Sequence, residues 1–433
     1  MSIKAASTNK ALSSLGGLFL YDSIYSKLAI DKTIESSLPS DKIKVRSNSL
    51  NKFKAMVFGF IAGADCLDDM DSFRGDPAFE SVLDDINASN TYGDYLRKFT
   101  KSNCREMNKK LIETSLKLRK ASHPDDNQFI LDLDSTPHLQ SGKKMEGTEY
   151  NYKSDFCLDS LQAFDQYGYQ YWMNVREGST YTSVGAEEVI YEVFRQVPQK
   201  LSSRIPVKRI VRADSGFCNF GVFEAASKNN AKFVICMRAN MYEPLLKNIK
   251  HWAKAKKIRM KGNRECEIGH TLYYPKNSKQ PYRVVMIRSL KEGTNRPLFS
   301  EDAYDYQGWV TSIGVHEKQD EKLVLLYRGR GNAENFIKEL KGGFDLRHFP
   351  CQSLVANKAY ALMGAFAYIL MRYTGFILNR KKPSFSKKIR LRMVFLAVEV
   401  VKKARDVLFR FYKHTTREVL SWQTTAIKQL GSG

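Results

Sequence analysis

Residues 1–120 place their apolar side chains at helical spacing. "NSLNKFKAMVFGFIAGA" and "REMNKKLIETSLKLRKAS" both predict helices, and strand-like alternation is scarce. The turn cluster "SHPDDN" (122–127) closes that section, and the period then changes. "QFILDLDST" (128–136), "YQYWMNVREGS" (169–179), "RIVRADSGF" (209–217) and "KFVICMRAN" (232–240) read as buried strands. "VGAEEVIYEVFRQV" (184–197) and "FGVFEAASKNN" (220–230) read as helices between them. Strands alternating with helices predict an α/β core. After Asn240 the stretches "HTLYYP", "YRVVMIRSL", "GWVTSI" and "LVLLYR" are strand-like with few helices between them, so 245–320 reads as a β-rich insertion. Beyond Gly342 the chain returns to helix.

The stretch "VLLYRGRGNAENFIKELKGGF" (324–344) begins within the last of these strand-like runs. It sets Tyr327, Arg330, Glu334 and Lys341 at offsets of three, four and seven, neighbouring positions on one face of a helix turning about 100° per residue. Gly329 and Gly331 put the firm helix start near Asn332, a plausible N-cap. Taken alone, such a stripe is an ordinary solvated face with i,i+4 pairs.

Charge narrows the partners. The 433-residue chain suggests two or three units, and with 43% hydrophobic residues it can bury a substantial core. It carries 69 basic against 46 acidic residues, a formal charge of +23. A polyanion is the simplest physical reason for that excess. Fifteen Lys/Arg against three acids lie between Met371 and the end, where "NRKKPSFSKKIRLR" (379–392) interleaves Phe and Ile with basics, as a backbone-binding surface would. No run approaches the roughly 20 apolar residues of a spanning helix, so "MVFGFIAGA" (56–64) and "ALMGAFAYILM" (361–371) read as buried core helices and no membrane partner is expected. The N-terminal stretch shows no secretory signal. Seven scattered cysteines without a CxxC pair argue for a reducing compartment and against a disulfide framework or zinc site. The terminal GSG (431–433) reads as an added scar.

Candidate chemistry comes from carboxylates. Asp132 and Asp134 share one face of an otherwise apolar strand, and buried carboxylates are costly unless paired or bound to a cation. A second strand ends in Asp214, and ligand groups in open α/β sheets collect at strand carboxyl ends. Each acid has a plainer reading as a strand-end turn residue. With Glu334 they make three carboxylates from three elements, a hard oxygen set that suits Mg²⁺ or Mn²⁺. Such ions activate a water or hydroxyl and stabilise charge on a phosphodiester.

Tyr327-x2-Arg330-x3-Glu334-x6-Lys341 resembles the YREK signature of the DDE transposases of bacterial insertion sequences, "RADSGF" their second-aspartate motif and "LDLDST" their first. "RHFPCQSLVANKAYALMGAFAYIL" (347–370) is similar to the segment after the signature, so the resemblance covers about 128–370. It implies an RNase H-like core, a mixed sheet flanked by helices, at 123–244 and 321–370, with 245–320 as the β-rich insertion. A helical DNA-end-binding region would occupy 1–122, and a basic helical region for DNA binding or dimerisation 371–430. It also implies Asp134, Asp214 and Glu334 as the catalytic, metal-binding triad with Mg²⁺ or Mn²⁺, Asp132 replacing or assisting Asp134. Tyr327, Arg330, Lys341 and Lys338 would contact DNA. Trp309 or Trp252 would stack on a flipped base. Glu339, five residues from Glu334, reads as a surface residue; His138 and His348 receive no role. The implied activity is cut-and-paste transposition in the bacterial cytoplasm, at the nucleoid, by a homodimer acting on terminal inverted repeats and target DNA. Rivals are an RNase H-like nuclease or resolvase without strand transfer, and a domesticated DNA-binding relative.

Overall fold

The structure is a computed structural model that describes residues 3–40, 48–83, 85–141, 144–200, 205–276, 278, 280–291, 303–404 and 406–431. Part of the expected insertion (292–302), Arg405 of the basic region and residues 432–433 of the terminal GSG lie outside the described residues.

The N-terminal part is helical, as its periodicity predicts. Its longest members are α1 (Ser49–Ala62) and α2 (Lys101–Ser122). Asn48 caps α1 by accepting from the Asn51 backbone, and Gly63 at φ 107° ends it in the left-handed region open to glycine. Thr100 and Asn103 form a reciprocal capping box at the start of α2.

The central layer is one sheet. It is entered by β1 (Gln128–Leu139), β2 (Phe156–Asp165) and β3 (Gln170–Glu177), an antiparallel run. After α3 (Ala186–Gln196) comes β4 (Lys208–Ala213), and after α4 (Phe220–Lys228) comes β5 (Lys232–Cys236). β4 pairs parallel to both β1 and β5, giving the order β3–β2–β1–β4–β5. This mixed sheet flanked by helices is compatible with an RNase H-like core. The strand-rich stretch supplies β6 (Glu267–Tyr273), β7 (Tyr282–Leu290) and β8 (Tyr304–Thr311). β8 pairs antiparallel with β5, so these strands extend the same sheet.

The "LVLLYR" run is helix, not strand: α5 (Asp320–Arg328) covers it. Leu323 and Val324 are buried while Leu325 is 43% exposed, which is helical periodicity in a run too short to distinguish by composition. The following α6 (Gly331–Gly343) starts at Gly331 with Arg330 as its cap residue, two positions before the expected cap Asn332. The stripe Tyr327–Lys341 is therefore split between two helices.

α7 (Leu354–Leu378) runs through the expected boundary at 370 and packs on β3, α1 and α2. It is the one described helix long and apolar enough to cross a membrane, and 89% of its most apolar window is buried inside the protein. The basic tail is not wholly helical. It forms a hairpin, β9 (Val398–Lys402) with β10 (Val407–Phe411), and Leu12–Ser13 adds to β9 before the final helix α8 (Lys413–Gly431). Val398 and Val400 face inward around Glu399, a period-two signal submerged in the charge of that region. The two chain ends thus form one body.

Candidate active site

Register brings the first two acids together. Along the parallel β1–β4 pair, Asp132 lies opposite Arg212 and Leu133 opposite Ala213. One step further the parallel pairing ends: Asp214 stands just past the carboxyl end of β4, and Asp134 on β1, which runs on beside β2 to Leu139. Asp134 Oδ1 accepts from the Ser135 backbone N–H at 2.9 Å, and Asp214 Oδ1 from that of Gly216 at 2.9 Å. The second is the Asx turn that the plain reading of the Asp214 motif expects; the first lies within β1, which continues to Leu139, so the turn expected after Asp134 does not form.

Asp132 is spent inside the sheet. Arg212 Nε donates to its Oδ1 and Nη2 to its Oδ2, both at 2.6 Å, and Arg212 Nη1 reaches the Leu326 carbonyl at 2.6 Å. Asp132 is 1% exposed. With both oxygens engaged by one buried guanidinium, it is not placed to ligate a metal, against the expectation of Asp132 replacing or assisting Asp134.

Asp134 meets a different arginine. Arg330 Nη2 lies 3.1 Å from Asp134 Oδ1 and 3.7 Å from Asp214 Oδ2, so one nitrogen spans both acids. Arg330 itself is 7% exposed, and its Nε is buried without a hydrogen-bond partner. Burial pushes the Asp134 carboxyl up to about 6; Arg330 opposes the rise, and the charges of Asp214 and Glu334 add to it.

Glu334 stands in the first turn of α6, exposed, close enough for its charge to be felt at Asp134. It does not close a cluster: among the described residues no three His, Cys, Asp or Glu side chains gather at metal-binding spacing. Lys341 Nζ donates to Thr136 Oγ1 at 2.7 Å and to the Pro137 carbonyl at 2.6 Å, tying α6 to the end of β1. Lys338 is exposed. Tyr327 packs its ring 5.5 Å from that of Trp309. Trp309 is fully buried in the strand-rich layer, so it is no base-stacking platform; it sits inward opposite Cys236 as a core residue. Trp252 is half-buried beneath the Arg288 guanidinium, 4.4 Å from its ring centre.

Glu339 is not a surface residue. It accepts from the Ser386 backbone at 2.5 Å, and burial raises its carboxyl. His138 is buried against Ser160 Oγ at 2.8 Å, and burial lowers its ring to about 3, keeping it neutral. Sequence reasoning missed Asp159 and Arg176, directly paired across β2 and β3 and bonded at 2.6 Å beside the site. An acid and a base in two adjacent apolar strand runs, "FCLDSLQAF" and "YWMNVRE", was the available signal.

A family model described as "Transposase DDE domain group 1" matches residues 1–432. The chain belongs to the DDE transposases. A search of curated proteins finds no match to it. As a member of this family the transposase is a polynucleotidyl transferase and endonuclease that binds DNA and acts in DNA recombination. DDE transposases generally use divalent metal ions. In this transposase Asp134 and Asp214 are a fitting pair of oxygen donors: Asp134 is a buried acid whose ionised form needs a cation, and both already share one, the Arg330 guanidinium. A divalent ion there would compete with that guanidinium for the two carboxylates.

Proposed function

We propose that the chain is a cut-and-paste DNA transposase with an RNase H-like core and a β-rich insertion, carrying Asp134, Asp214 and Glu334 as its Mg²⁺- or Mn²⁺-binding triad. The observation that carries this is the β1–β4 register, which sets Asp134 beside Asp214 at one end of the sheet with a cation between them. A divalent ion bound there supplies the charge that activates a hydroxyl nucleophile and steadies the phosphodiester. Asp134 and Asp214 orient the cleavage site through carboxylates held by the backbone N–H groups of Ser135 and Gly216. Arg330, released from the acids, is positioned to meet a phosphate. Lys338 offers a second, exposed cation about two turns of α6 beyond Arg330. Water cuts at the transposon end, and the freed 3′-hydroxyl then attacks target DNA in the same site. Preorganised charge and positioning carry most of the rate. The basic C-terminal body and the helical N-terminal region hold terminal inverted repeats, and a homodimer brings two ends together in the bacterial cytoplasm.

Cleavage of a plasmid carrying the gene's flanking DNA tests this, comparing the intact protein with Glu334→Gln in Mg²⁺. Cuts at defined flanking positions that vanish in the variant support the triad; cutting that survives Glu334→Gln removes Glu334 from it. A second reading, DNA binding without cleavage, has one observation in its favour: Arg330 occupies the space between the acids while Glu334 stays outside. Binding with no cutting by either protein would select it.

A further inference from the structure

We propose that the cleft beside Asp214 is a subsite for an unpaired DNA strand, with Tyr181 and Tyr152 as base-stacking platforms and Arg238 and Lys153 as phosphate contacts. The proposal rests on reading Asp134 and Asp214 as the DNA-cutting site. The cleft has a volume of about 510 Å³ and reaches from Ser135 and Asp214 out to both tyrosines. The larger cleft of about 1210 Å³, on the β6–β8 side, contains none of the three proposed triad acids.

Single exposed tyrosines are ordinary, but these two are held in place. Tyr181 is 51% exposed, on the loop after β3. Buried Arg176 fastens that loop: its Nε donates to Asp159 Oδ2 at 2.6 Å, Nη1 to the Val184 carbonyl at 2.6 Å and Nη2 to the Thr182 carbonyl at 3.0 Å. The loop lies directly against the Asp214 turn, since a Cβ on Gly216 would come within 2.7 Å of Thr182 Cγ2. Arg238 joins the two by donating from Nε to the Ser215 carbonyl at 3.2 Å with its guanidinium 5.7 Å from the Tyr181 ring centre. The opposite wall is the turn before β2. Asn151 Oδ1 accepts from the backbones of Lys153 at 2.8 Å and Asp155 at 3.0 Å, and Ser154 takes φ 62°. That turn presents Tyr152, 88% exposed, with Lys153 Nζ 5.4 Å from its ring centre.

Each wall thus offers an exposed aromatic ring with a cation over one face, and the cleft reaches Asp214. Bases stack on aromatic faces irrespective of sequence, and the adjoining cations meet the backbone. A paired duplex presents no free base faces, so the occupant of such a cleft is unpaired. Neither tryptophan of the strand-rich layer lines this cleft, and Trp309 is fully buried.

The test uses the full chain and a synthetic duplex with a short single-stranded overhang carrying 2-aminopurine, alongside the blunt duplex. Stacking quenches the fluorophore. The intact protein should quench it and prefer the overhang substrate. Tyr181→Ala should lose the quench and weaken overhang binding roughly 10-fold, in line with stacking on one aromatic, with blunt-duplex binding unchanged. Tyr181→Phe should retain both. Quenching that survives Tyr181→Ala overturns the proposal, as does equal weakening on overhang and blunt DNA. Cleavage in Mg²⁺ is scored on the same preparations. Glu334-dependent cutting without Tyr181-dependent quenching sinks the subsite alone; Tyr181-dependent quenching without any cutting upholds the subsite and sinks the cutting site.

Discussion

Asp132 and Asp134 stand two residues apart on one face of β1, and each meets an arginine. In the inner layer, Arg212 closes on Asp132 with two bonds of 2.6 Å and the pair is sealed. At the rim, Arg330 reaches Asp134 through one nitrogen that it also lends to Asp214, at 3.1 and 3.7 Å, and Asp214 keeps 42% of its side chain exposed. The same chemistry therefore yields two different objects. A saturated buried ion pair holds strands in register; an unsaturated one where β1 and β4 part leaves lone pairs for a ligand.

The inner pair is the easier to break. Asp132→Ala strands a buried guanidinium and should cost about 3–5 kcal/mol, read as a lower urea midpoint at unchanged slope. Replacing both partners with apolar residues, Asp132→Leu with Arg212→Met, should recover most of the loss. A single variant that loses less than about 1 kcal/mol would mean that the inner layer is as open as the rim.

The rim should respond with the opposite sign in metal-free protein. A carboxyl raised from 3.8 to about 6 binds its proton more readily in the folded chain than in the unfolded one. The folded state is therefore stabilised as pH falls through about 6, fully so below the unfolded value, and keeping Asp134 ionised costs stability above it. Asp134→Asn removes that cost. In chelator at about pH 8 the variant should be more stable than the intact protein by on the order of 2–3 kcal/mol, converging near pH 4, while losing cleavage. Equal melting curves across that range would show that Arg330 satisfies Asp134 as completely as Arg212 satisfies Asp132.

Arg330 itself distinguishes a displaceable cation from a fixed one. Arg330→Gln removes the internal competitor, so Mn²⁺ titrated into the protein without DNA should bind several-fold tighter, while cleavage falls because a phosphate contact is lost. Unchanged Mn²⁺ affinity would mean that the guanidinium is no obstacle to the metal.

Much of this contrast was legible in the chain. Alternation placed Asp132 and Asp134 on one face, and strand ends placed Asp214 with them, because both follow from backbone geometry. Which acid remained open was not legible. It depends on Arg212 lying opposite Asp132 in a parallel register that no local pattern encodes. The same limit explains Trp309, whose inward face is set by pairing with Cys236, and Tyr327, whose short apolar run fits either period. Glu339 fell on the wrong side because the segment around Ser386, far along the chain, covers it.

Lys341 and Lys338 carry the contrast onto α6, at smaller scale. Both were expected to meet DNA, yet Lys341 is bonded to Thr136 and the Pro137 carbonyl while Lys338 is exposed. Lys341→Met should therefore cost about 1–2 kcal/mol of stability, since two charge-assisted bonds to the end of β1 disappear. Lys338→Gln should stay within about 0.5 kcal/mol of the intact protein. Its effect should appear instead in DNA binding, as a salt dependence shallower by about one phosphate contact. If Lys341→Met flattens the salt dependence as well and leaves stability untouched, its bonds to β1 yield to DNA. Lys341 would then belong, with Arg330, to the cations that the rim holds in reserve.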